Sequence, residues 1–162
     1  MLDIVKDVKV IKTAILKSRY IAARLANGEM LKLYFAIGGY VSQNSRNGRW
    51  GTGAIDEISR LLQKELPGLR GFSPTNMKNM RIFYEAWSPK EIRQPVAGEF
   101  GQHVPEIQKE HLQTTEIVIR QPAADELGEN DATAFMATSF TNHMEIIYAC
   151  KNIDERLFYI RK

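Results

Sequence analysis

Ile4, Val8, Ile11, Ile15, Ser18, Ala22 and Leu25 recur at alternating steps of four and three, an average period of 3.5. That spacing draws a straight seam along one side of a helix, the pattern of bundles and coiled coils. It predicts one long helix over residues 3–26, ended by Asn27-Gly28. Ser18 and Ala22 weaken the seam, so burial inside the chain's own bundle is expected, with self-association through residues 3–26 as the alternative.

The next segment, residues 29–43, is apolar on nearly every side: Met30, Leu31, Leu33, Tyr34, Phe35, Ile37, Tyr40 and Val41. A helix with so little polar face belongs at the centre of a fold. Gly38-Gly39 weakens it as a helix, and close approach of another helix is the reason expected for both glycines. From Gln43 to Gly51 the chain reads as a basic, glycine-rich loop carrying Arg46 and Arg49. Thr52 is the expected cap of a third helix with a stripe of Ile55, Ile58, Leu61, Leu62 and Leu66, ended by Pro67-Gly68.

The fourth helix has the clearest start. Ser73 is a strong N-cap residue, and Pro74 takes the first helical position, where its missing N–H costs nothing. Through Trp87, one face carries Met77, Met80, Phe83, Tyr84 and Trp87, and the other Thr75, Lys78, Arg81 and Glu85.

Residues 88–138 hold four of the six prolines and read as an irregular insert. Ile92–Gly101 and Ile119–Gly128 repeat one another at an offset of 27, with seven of ten positions identical. A duplicated linker peptide or a short paired β-hairpin fits this pattern, and two copies are too few for a solenoid. Helicity is expected to resume at Ser139, with a last helix opened by Asn152-Ile153-Asp154-Glu155 and running to Lys162. The fold class expected is mainly α: a helical bundle with a helix-turn-helix-like core, an irregular insert and two closing helices.

Chemistry-bearing motifs are scarce. His103, His111 and His143 lack zinc spacing, and Cys150 is the single cysteine. No phosphate-cradling glycine loop or nucleophile elbow occurs. Glu106-Ile107-Gln108 is a chance likeness to a nuclease metal motif, and His143 reads as a packing residue. No catalytic residue, cofactor or metal is expected, and this chain by itself is not read as an enzyme. With no apolar run of about 20 residues and no signal-peptide core, a cytoplasmic location is expected.

Charge points to a partner. Residues 1–93 carry 16 Lys+Arg against 8 Asp+Glu, whereas residues 94–162 carry 6 against 11. A basic half suggests nucleic acid. Helices three and four would present Thr75, Lys78 and Arg81 to a DNA groove, with Arg46 and Arg49 as further contacts. A protein-interaction or oligomerisation domain without nucleic-acid binding is the alternative.

Leu33–Gly38, Trp50–Ile55 with Ile58-Ser59, Gly71–Met77, Met80–Tyr84, Ser139–Glu145 and Asp154–Ile160 occur in a familiar order. They resemble the N-terminal domain of bacterial YhcG-type proteins, the N-terminal part of domain-of-unknown-function family 1016. The likeness covers residues 25–87 and 139–161, with Phe35 where the family favours tryptophan and Ala36 where an acidic residue is common. It implies a single helix-turn-helix-like, DNA-binding module that precedes a PD-(D/E)XK nuclease domain, and so a chain that is part of a longer protein. No catalytic residue carries over.

Overall fold

The computed structural model describes residues 4–88 and 129–162, which form six helices and no strand. They are α1 (Ile4–Arg46), α2 (Ala54–Glu65), α3 (Pro74–Trp87), α4 (Glu129–Ala137), α5 (Phe140–Ala149) and α6 (Ile153–Ile160). The mainly α expectation holds. The repeat at 92–101 and 119–128, and the hairpin considered for it, lie outside the described residues.

The first correction concerns Asn27-Gly28. The chain does not break there: α1 runs 43 residues without interruption. A mid-helix glycine costs only about 1 kcal/mol relative to alanine and ends a helix only when the backbone turns left-handed, as it does not here. Asn27 is also employed from within the helix. Its Nδ2 donates to the carbonyls of Met136 (2.9 Å) and Thr138 (3.0 Å), closing the C-terminal end of α4.

The second half of α1 is the spine of the bundle. Leu31, Tyr34, Phe35 and Val41 are buried against α3, whose inner face is Met77, Met80, Phe83 and Trp87. Gly38 allows this approach as the sequence suggests: a Cβ there would overlap the Met80 carbonyl. A Cβ on Gly39 would stand 3.0 Å from the Tyr84 ring. Ser73 caps α3 as expected, its hydroxyl accepting from the Asn76 N–H at 3.2 Å.

Part of the expected insert is helical. α4 delivers Phe135 to the core, with its ring 5.0 Å from Trp87 and 5.9 Å from Phe83. Its period was hidden because Phe135 is the one large side chain it fully buries. α5 and α6 close the bundle through Phe140, Met144, Ile147 and Ile160. Ser139 and Asn152 cap them by accepting from Asn142 N–H and Glu155 N–H. His143 is fully buried among Phe83, Trp87 and Phe135, and Nε2 donates to the Phe135 carbonyl at 3.0 Å. It is a packing residue, as the sequence indicates.

α2 is peripheral. Gly53 in a left-handed turn, not Thr52, sits at its N-cap, and no side chain caps it. Its apolar stripe is half-buried at most, and Ser59 is its one buried residue, donating to the Phe72 carbonyl at 2.7 Å.

The largest departure is the first half of α1. Every residue from Ile4 to Ala26 is exposed, so the 3.5-residue seam does not pack against the bundle formed by the described residues.

Candidate nucleic-acid interface

The five cations and hydroxyls singled out from sequence fall near α2, α3 and the end of α1. Arg46 belongs to the last turn of α1 and not to the loop expected from Gln43 onward. Its guanidinium meets Glu85 of α3, with Nε donating to Oε1 at 2.9 Å and Nη2 2.8 Å from Oε2. Ser42 donates to the same carboxylate at 2.8 Å, and Arg81 stands 4.0 Å from it. Glu85 therefore ties the end of α1 to α3. Burial pushes its carboxyl up, but the Arg46 and Ser42 hydrogen bonds and the two guanidinium charges more than reverse this, leaving it below its ordinary value.

This cluster divides the candidates. Arg81 is only 33% exposed, with Nε covered, so much of it is committed to the fold. Arg46 keeps 65% of its side chain in solvent despite its pairing. Thr75 and Lys78 are exposed in the first turns of α3. Lys78 lies 3.9 Å from Asp56 in the first turn of α2, so an acidic group borders the face. Arg49 is exposed in the loop before α2 and has no carboxylate within 4.0 Å among the described residues.

Sequence reading missed Arg70. It stands exposed in the turn from Leu66 to Ser73, beside Gly71 with its left-handed φ of 87° and across from the start of α3. Its signal in the sequence was its place as a cation in the turn between two helices. The turn itself is fastened by the Asn76 side-chain amide donating to the Gly71 carbonyl.

Among the described residues no group of three or more His, Cys, Asp or Glu side chains could hold a metal ion. Among them, too, no helix is long and apolar enough to cross a membrane.

Neither a curated protein nor a solved structure shows a significant match to the chain. The family model of the DUF1016 N-terminal domain matches residues 10–162, taking in the α2–α3 region and both closing helices. With nearly its whole length matched, and with the all-helical fold described above, the chain belongs to the DUF1016 N-terminal domain family.

Proposed function

We propose that this chain is a non-catalytic DNA-binding module, the N-terminal part of a PD-(D/E)XK nuclease-type bacterial protein. The observation that carries the reading is the charge of residues 46–81. This stretch holds seven Lys+Arg against three Asp+Glu, and Arg49, Arg70 and Lys78 hold their charges at the surface. Ser73 and Pro74 start α3 beside the exposed Thr75, and the helix dipole favours a phosphate there. On this reading Thr75 on the first turn and Lys78 on the second meet a groove, and Arg49, Arg70 and Arg46 hold the flanking backbone. Arg81 contributes least, because its side chain is only 33% exposed and the Glu85 carboxylate stands 4.0 Å away.

The test is a titration against labelled duplex at several salt concentrations. Binding should weaken steeply with salt as counterions are released. Lys78→Ala, Arg49→Ala and Arg70→Ala should each reduce the salt slope by about one and weaken binding alike on all sequences. Thr75→Ala should alter sequence preference more than slope. If the chain fails to bind duplex DNA at low salt, the reading falls and an interaction domain takes its place.

A further inference from the structure

Among the described residues, no other helix covers the apolar seam along the first half of α1. Ile4, Val8, Ile11, Ile15, Ile21 and Leu25 stand 47% to 67% exposed, unlike the core residues Leu31, Phe35 and Val41 further along the same helix. At 100° per residue, Ile4, Ala22 and Tyr40 share one azimuth, and the bundle-facing Leu31, Phe35, Gly38 and Ser42 lie about half a turn away. From Ile4 to Ala22 the seam thus runs along the side of α1 opposite α3, where another helix can lie without meeting it, and at Leu25 it comes beside Met136 of α4.

We propose that a second copy of this chain covers the seam, forming a parallel two-stranded coiled coil over residues 4–25. With Val8, Ile15 and Ala22 at a, the d positions are Ile4, Ile11, Ser18 and Leu25. Four of the six cations in this stretch, Lys6, Lys9, Lys17 and Arg24, then take the solvent-facing positions b, c and f. The remaining two, Lys12 and Arg19, take e. The g positions are Asp7, Ala14 and Ile21. In a parallel pair g of one strand meets the following e of the other, so Asp7 faces Lys12 of the second copy, twice by symmetry, and no like charges meet. In an antiparallel pair e meets e, bringing Lys12 against Arg19, again twice. The charges select the parallel arrangement.

Area is consistent with a specific contact. The six aliphatic side chains on two copies would remove on the order of 1,000 Å² of apolar surface from water, where specific interfaces begin. Three heptads give a modest, concentration-dependent dimer. The inference is independent of the DNA-binding reading, since the seam and the α2–α3 face share no residue.

Sedimentation of the full chain in 0.5 M NaCl is the test, because that salt suppresses association bridged by nucleic acid. A dimer is expected at tens of micromolar, and Ile11→Asp should weaken it on the order of 100-fold or more. The Trp87 fluorescence of the bundle should stay unchanged, since residue 11 does not touch it. Ser18→Cys should cross-link to its own counterpart under mild oxidation, because a parallel coil sets position 18 opposite itself. At about 0.1 M NaCl, after nuclease treatment to remove nucleic acid, Asp7→Lys should weaken the dimer, and Lys12→Asp added to it should restore association. A monomeric wild-type chain at hundreds of micromolar, a dimer indifferent to Ile11→Asp, or a dimer that fails to cross-link at position 18 would each overturn the proposal. A monomer that sediments with anionic phospholipid vesicles would assign the seam to a lipid surface instead.

Discussion

Gly38 and Met80 meet backbone to backbone, and the space between them is smaller than a methyl group. Gly38→Ala should therefore cost about 2 kcal/mol, overpacking outweighing the helix propensity that alanine brings. Gly28 offers the internal contrast, since a Cβ there meets nothing within 4 Å. Gly28→Ala should stabilise by up to about 1 kcal/mol. Urea unfolding followed by tryptophan fluorescence compares the two. Equal effects would mean that the close approach is misplaced.

Asn27 should tolerate no acidic replacement. Its amide donates to the Met136 and Thr138 carbonyls at the end of α4. Asn27→Ala removes those bonds and should cost about 1–2 kcal/mol. Asn27→Asp sets a carboxylate against the same oxygens and a negative helix end, so it should cost more. A thermal melt ranking aspartate equal to asparagine would refute the bonding.

His143 makes the bundle acid-sensitive in a defined window. Burial lowers its pKa to about 4 from the model-peptide value of 6.5, only partly opposed by the Phe135 carbonyl. Between those values the unfolded chain binds a proton that the folded chain refuses. Stability therefore falls as pH drops from 6.5 toward 4, by about 3 kcal/mol in full, and is unaffected by this group above the window. His143→Gln keeps a donor without the titration. Its urea midpoint should change less than that of the wild type between pH 7 and 5.

Glu85 holds two of the cations proposed to face DNA. Glu85→Gln should cost about 1–2 kcal/mol of stability through the lost charge-assisted bonds to Arg46 and Ser42. On the DNA-binding reading it should also tighten duplex binding and steepen its salt dependence, because Arg46 and Arg81 lose a competing anion. Unchanged affinity in a folded variant would remove both arginines from the interface.

What the sequence disclosed was governed by local rules. The Ser73-Pro74 start of α3, the Asn152 start of α6 and the Gly38-Gly39 approach are each written in neighbouring residues, and the structure contains all three. Asn27-Gly28 misled because the propensity cost is local, whereas the use of Asn27 depends on carbonyls more than 100 residues away. The Arg46–Glu85 pairing spans 39 positions and has no local signature. The seam was legible, but a 3.5-residue period does not say whether its partner belongs to the same chain. At the candidate interface, composition supplied the cations, and only their surroundings separate the exposed Arg49 and Lys78 from the engaged Arg81.

An uninterrupted α1 also keeps phase. Because no loop separates its two halves, any length change near Gly28 turns the N-terminal face like a screw relative to the bundle. One inserted residue rotates it by about 100°, carrying the seam toward the flank of the bundle. Seven inserted residues leave it within about 20° of its original bearing. With the seam paired as proposed, the junction at Asn27-Gly28 acts as a register mark: insertions and deletions there should be tolerated in sevens and punished in ones and twos.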